Sequence, residues 1–244
     1  MYTFQSRIRY SETDKTGHLK LEALLDYFQD CSTFHSEDIG LGLDYCREHH
    51  VVWVMSSWQI VVKRYPLMGE KVTIGTLPYE FKGFVGYRNF CMKDEQGVEI
   101  ACANTIWSLL STDTGKPAKP DERMLEGYKL EPKLSMEYAP RRIKIPGSSI
   151  PGEAIMIKGY HLDTNQHVNN GQFIRIAMDS LEQNFDIIQL RAEYKKQVLL
   201  GDVLTPYISQ TDEGKHVIVL ENAEGDVCCI VELEESAERI EDQK

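Results

Sequence analysis

The feature that most constrains this chain is an imperfect internal repeat. Residues 10–19 read YSETDKTGHL and residues 159–168 read GYHLDTNQHV, so placing Asp14 on Asp163 also places His18 on His167, an offset of 149 in a chain of 244 residues. Each segment precedes a helical pattern. Leu21, Leu24, Leu25 and Phe28 follow i, i+3, i+4, i+7 in the first half, and Phe173, Ile174, Ala177, Met178 and Leu181 do so in the second. Further on, KRYPLMGEKVTIG (63–75) resembles KKQVLLGDVLTPY (195–207), with Gly69 on Gly201. The first half is longer over this interval by 17 residues, which matches an extra segment near 35–50. Both halves continue as β-rich runs whose EQG and AEGD clusters read as hairpin turns.

Each half therefore reads as a strand, a helix and about four long strands. A helix of about four turns cannot bury its apolar stripe alone, and an antiparallel sheet wrapped around it is the economical way to do so. The expected fold is α+β, with two related domains at 1–112 and 152–244. Between them, residues 113–151 hold six of the nine prolines and little apolar clustering, and read as a connector.

Charge narrows the function. With 27 Lys+Arg against 38 Asp+Glu the net charge is −11, which argues against a protein built to grip nucleic-acid phosphates. Residues 221–244 hold nine acids against Arg239 and Lys244, so much of the acidity reads as a solvated C-terminal strand and tail, and the rest of the chain can carry a local basic patch. No apolar run approaches the ~20 residues of a membrane span, and the N-terminus has no apolar signal core. The six cysteines form no CxxC and no zinc spacing. A cytoplasmic protein with reduced thiols, and neither metal nor cofactor, is expected.

The densest chemistry lies in His161-Leu-Asp163-Thr-Asn165-Gln-His167-Val-Asn169-Asn170. Asn169 or Asn170 can cap the following helix, whose N-terminus carries open N–H groups and the positive end of the dipole. Such a terminus stabilises negative charge on a bound carbonyl oxygen. Asn165 can donate to the same oxygen, His167 can move a proton, and Asp163 can fix the imidazole or polarise the amide. The bland alternative is a capped turn without chemistry. The imperfect repeat weighs against it: the first copy reads Asp14-Lys-Thr16-Gly-His18, with a hydroxyl where the second has an amide. One competent and one altered copy is the pattern of a duplicated enzyme that keeps a single site.

Asp163-Thr-Asn165-Gln-His167-Val-Asn169-Asn170, followed by Ala192-Glu193-Tyr194-Lys195-Lys196, resembles the acyl-ACP thioesterases of plants and bacteria, and the likeness extends to the SETDKTGHL segment and to the strand at Trp107. That resemblance implies two tandem hotdog domains, each an antiparallel sheet wrapped around a central helix. It implies hydrolysis of the thioester between a fatty acyl chain and acyl carrier protein in fatty acid biosynthesis, with Asp163, Asn165 and His167 at the catalytic site. Plant members carry an acid and then a cysteine soon after the E-Y pair, where this chain has Gln197 and Val198. Val198 excludes a thiol nucleophile there, and Gln197 leaves an amide to position water. Attack by water remains, with His167 either taking its proton or, with Asp163, polarising Asn165. An acyl-CoA thioesterase and a non-catalytic acyl-binding protein are the alternatives.

Other residues read more plainly. Cys31 and His35 are four apart, yet Cys31 continues the apolar face of the first helix and reads as a core thiol. His49-His50 and His161/His167 lack a third metal ligand. Cys228-Cys229 lie in a strand pattern and read as packing. The VVWVMSSWQIVV run with Trp53 and Trp58 reads as strand, and the resemblance adds that this region, with Phe28, lines an acyl tunnel. Acyl carrier protein is acidic, so its expected landing surface is basic: Arg141, Arg142 and Lys144 in the connector, and Lys195 and Lys196 beside the site.

Overall fold

A computed structural model describes residues 1–181 and 186–236. The chain divides into two compact units, Met1–Tyr138 and Ala139–Lys244.

In the first unit, β1 (Tyr2–Arg7) leads to α1 (Leu21–Asp38) and the short α2 (Leu43–Glu48), followed by β2 (Val51–Val62), β3 (Lys71–Lys82), β4 (Val85–Lys93), β5 (Glu99–Ser111) and α3 (Glu122–Gly127). The strands pair antiparallel in the order β1-β3-β4-β5-β2. The apolar stripe of α1 explains its place. Leu21, Leu24, Leu25, Phe28 and Cys31 are buried on the helix, which packs on β3 and β1. Phe28 meets Trp58 of β2 and Phe90 of β4 at centroid distances of 6.2 and 5.4 Å, and the two strand rings lie 5.2 Å apart. Full burial of such side chains contributes roughly 1.5–3 kcal/mol each. The 17 extra residues of the first half are spent on a longer α1 and on α2.

The second unit comprises β6 (Ile150–Pro151), β7 (Ile155–Met156), α4 (Asn170–Asp179), β8 (Ile187–Tyr194), β9 (Val203–Gln210), β10 (His216–Asn222) and β11 (Val227–Glu235). Its sheet order is β8-β11-β10-β9-β6, with β7 also on β9, and α4 packs on β10 and β11 through Phe173, Ile174, Ile176 and Ala177. Both expected hairpin turns form alike. Asp94 Oδ1 accepts from Gln96 and Val98 N–H around Gly97, and Asn222 Oδ1 accepts from Glu224 and Asp226 N–H around Gly225.

Two expectations need correction. Residues 113–151 are not uniformly connector. Met124 and Tyr128 join Leu41, Tyr45 and Leu109 in a buried cluster of the first unit, and Leu134 N–H and Tyr138 Oη both donate to the buried Asn89. The C-terminal acids are not all solvated either. Glu232 on β11 is 8% exposed and pairs with Arg191 at 2.7 Å, because β11 lies inside the sheet. Residues 237–244 of that acidic tail lie outside the described residues.

Candidate active site

The repeat seen in the sequence is also a repeat of hydrogen bonds. In the second unit Asp163 N–H donates to His167 O (2.8 Å), Val168 N–H to Val198 O (3.0 Å), Asn169 N–H to His161 O (2.9 Å) and Gly201 N–H to Ile157 O (3.0 Å). In the first unit Asp14 N–H donates to His18 O (2.8 Å), Leu19 N–H to Pro66 O (2.9 Å), Lys20 N–H to Glu12 O (2.9 Å) and Gly69 N–H to Ile8 O (2.9 Å). One loop design is therefore built twice, ahead of α1 and ahead of α4. The bond to Val198 sets Gln197 and Val198 beside His167-Val168. Val198 is buried as packing, and Gln197 is exposed.

The carboxylate at the head of each loop shapes it. Asp163 Oδ1 accepts from the backbone N–H of Asn165 (2.8 Å) and His167 (3.2 Å), so it acts on both neighbours through the main chain. Asp14 Oδ1 does the same for Thr16 and His18, and also accepts from the Thr16 hydroxyl at 2.7 Å. That hydroxyl lies 2.8 Å from His18 Nδ1. A hydroxyl has one proton, so Thr16 must accept from His18 Nδ1–H. Burial works against the Asp14 carboxylate, but the hydrogen bonds from Thr16 and His18 outweigh it and hold its carboxyl below the usual range.

The two copies differ here in a way that bears on chemistry. Asp14, Thr16 and His18 satisfy one another. In the second copy, among the described residues, neither the Asn165 amide nor the His167 imidazole has a hydrogen-bond partner, and Asn165 is exposed while His167 is half-buried. Gln166 between them holds the left-handed region at φ 63°, where the first copy has Gly17 at 87°.

Asn169 caps α4, its Oδ1 accepting from Gly171 N–H at 2.8 Å. Gln172 N–H turns back to Asn169 O at 2.9 Å. These bonds correct the expectation of a row of open N–H groups at this end. The terminus offers its dipole, and the loop that leads into it holds the Asn165 amide, which has no hydrogen-bond partner among the described residues. Asn170 O accepts from Tyr194 Oη at 3.0 Å, and Phe173 packs edge-on against the Tyr194 ring, which ties the E-Y pair to the start of α4.

Other candidates take structural roles. His161 is buried, and its Nδ1 accepts from Lys158 N–H at 3.0 Å, as the Glu12 carboxylate accepts from Arg9 N–H in the first copy. Burial pushes the Cys31 thiol up to about 12, and His35 is engaged with Arg88, so the two do not form a nucleophile and base. Glu193 is 5% exposed and takes Ile143 N–H and the Lys195 ammonium. Lys196 pairs with Asp226 at 2.6 Å, so the charges of Lys195 and Lys196 are both offset by acids. Arg141, Arg142 and Lys144 are exposed. Their segment is pinned by Ile143, buried against Val217, Val219 and Ile230, and by Arg191, which donates to Arg142 O at 3.1 Å.

Comparisons with known proteins agree with this architecture. Residues 1–128 match the acyl-ACP thioesterase N-terminal domain and residues 152–234 match the acyl-ACP thioesterase C-terminal domain. The chain is similar to the chloroplastic oleoyl-acyl carrier protein thioesterase 1 of Arabidopsis thaliana, 25% identical over 84% of this chain and 63% of that one. It is also similar to the chloroplastic palmitoyl-acyl carrier protein thioesterase of Gossypium hirsutum, 24% identical over 84% of this chain and 54% of that one. The chain thus spans between half and two thirds of the length of these plant relatives. The crystal structure of an acyl-ACP thioesterase from Bacteroides thetaiotaomicron shares the fold with a TM-score of 0.87 at 24% identity, covering 95% of this chain and 96% of that one. The 12:0-ACP thioesterase from Umbellularia californica does so with a TM-score of 0.82 at 17% identity, covering 96% of both. The fold is two tandem hotdog units, and the chain belongs to the acyl-ACP thioesterase family.

Proposed function

We propose that this protein hydrolyses fatty acyl-ACP thioesters in fatty acid biosynthesis, releasing free fatty acid and holo-ACP. The observation that carries the reading is the asymmetry of the two loops: the amide and imidazole of the second copy are left unpartnered, while their counterparts in the first satisfy each other. Its family and the activities named for its plant relatives support the same reaction.

In this mechanism water attacks the thioester carbonyl. The Asn165 amide N–H and the positive end of α4 hold the developing oxyanion. His167 takes the water proton as the C–O bond forms and returns it to the sulfur as the C–S bond breaks, giving acid and thiol. Asp163 positions both residues through their backbone N–H groups. Gln197 lies beside the loop as a neutral group able to orient the water.

The carrier protein is acidic, and Arg141, Arg142 and Lys144 form the basic segment proposed to meet it, since Lys195 and Lys196 already have acidic partners. No described helix is long and apolar enough to cross a membrane. A cytoplasmic setting belongs to the same proposal, supported by six free cysteines.

Measuring thiol release from acyl-ACP and acyl-CoA of matched chain length tests the reading. Faster release from acyl-ACP, by about tenfold in kcat/KM, is expected. Preference for acyl-CoA would overturn the substrate, and release from neither would leave acyl binding.

A further inference from the structure

Two of the six cysteines face each other across the sheet of the first unit. Cys91 on β4 and Cys102 on β5 are register partners, and no other cysteine on a described strand has a cysteine opposite it. The pairing runs without a shift from Val85/Ser108 to Met92/Ala101. Leu109 N–H donates to Phe84 O at 2.8 Å on the rung before that run, which sets its phase. Cys91/Cys102 stands an odd number of rungs further on and is therefore a pair without backbone hydrogen bonds between its members. In such pairs the Cα atoms approach to about 4.5 Å, inside the range of roughly 4.4–6.8 Å that a disulfide spans. Phe90 packs on Phe28 of α1, so the neighbouring Cys91 and its partner Cys102 lie on the opposite face of the sheet.

Both side chains are enclosed, at 2% and 4% exposure. Cys91 Sγ leans toward β3, where Gly75 has no side chain and Met1 Sδ lies 3.7 Å away. A turn about its Cα–Cβ bond to another staggered rotamer carries it toward Cys102. The partly exposed Lys63–Glu99 ion pair flanks Cys102 and marks the side nearer to solvent. Burial first, then Glu99, pushes the Cys102 thiol up to about 11, and burial raises Cys91 as well. Thiolate is scarce at both, so brief exposure to an oxidant leaves them reduced. We propose that Cys91 and Cys102 form a covalent modification site, joined under sustained peroxide into a disulfide that staples β4 to β5. The Cys102 sulfur attacks one peroxide oxygen and the O–O bond breaks. A sulfenic acid remains, and the departing hydroxide takes the thiol proton as water. The Cys91 sulfur then attacks the Cys102 sulfur, the S–O bond breaks, and hydroxide leaves with the Cys91 proton as a second water. Two thiols lose two electrons, and one hydrogen peroxide is reduced to two waters.

Overnight treatment of the full chain with hydrogen peroxide, followed by tryptic mapping without reductant, tests this. Cleavage after Lys93 separates the two cysteines, so the bond shows as two joined peptides that dithiothreitol releases. The joined peptides are expected to be the main form of both cysteines. Dithiothreitol should lower the melting temperature of the treated wild type by about 5 °C, because the bond closes a ring around the Gly97 turn. Treated Cys91→Ala and Cys102→Ala should show neither the joined peptides nor a response to dithiothreitol. If Cys91→Ala does not fold, Cys102→Ala decides. Sulfinic acid at either position in place of the bond, or pairing of either with a different cysteine, would overturn the proposal. So would a melting temperature that dithiothreitol shifts equally in the wild type and in Cys102→Ala.

Discussion

At the scale of single residues, three of the five differences between the loops at 14–20 and 163–169 bear on the site: Thr16 against Asn165, Gly17 against Gln166, and Lys20 against Asn169. Gln166 holds a φ of 63° that a side chain disfavours by roughly 1–2 kcal/mol. Gln166→Gly should therefore raise the melting temperature by about 2–4 °C in calorimetry. A fall would mean that the side chain makes a stabilising contact there. The exchange of hydroxyl for amide at 16/165 was legible in the sequence because the repeat aligned those positions. Its consequence was not, since the Thr16–His18 bond depends on where the loop sets a hydroxyl relative to a ring. The buried Arg88 also escaped the sequence reading. Its signal was parity: it shares alternation with Phe90 and Met92, both wholly buried, so a charge there sits among core positions.

At the scale of elements, the helices, the β-rich runs and both hairpin turns were legible from period and turn chemistry. The start of α4 shows why. Its first turn holds Gly171 and no acid, so the Asn169 cap is the local signal that starts the helix. Asn169→Ala should cost about 1 kcal/mol in denaturant unfolding. A larger fall in kcat than in stability would show that the same turn positions the catalytic loop, and unchanged stability would contradict the cap. Residues 113–138 were illegible for the opposite reason. Met124 and Tyr128 stand four apart, a single helical repeat too short to make a periodic pattern, and they find their partners in Leu41, Tyr45 and Leu109, distant in sequence. The domain edge is set by such contacts, which composition does not carry.

At the scale of the molecule, two properties follow from charge. Burial first, and the Arg88 charge second, lower His35 from 6.5 to about 4. The unfolded chain therefore takes up this proton at higher pH than the folded one. Stability from His35 is full above about pH 6.5 and is lost as pH falls toward 4, by at most about 3 kcal/mol. Asp26 works in the opposite direction: burial, then Asp30, Glu22 and Glu12, raises its carboxyl to about 6, so acid relieves it. The diagnostic is thus a difference. Between pH 7 and 4.5 the wild type should lose about 2 kcal/mol more than His35→Gln in urea unfolding, and equal losses would contradict the assignment. Reversing Arg141 and Arg142 to Glu should raise KM for acyl-ACP several-fold with little change in kcat, and added salt should weaken the wild-type interaction. An unchanged KM with a flat salt response would remove that segment from the docking surface. The central claim is that a duplicated loop keeps chemistry in one copy only, and steady-state hydrolysis of acyl-ACP by four folded variants tests it most directly. Asn165→Ala and His167→Ala should each lower kcat by about a hundredfold or more, while Thr16→Ala and His18→Ala stay within a few fold of wild type. Comparable losses from both pairs would contradict the one-site account.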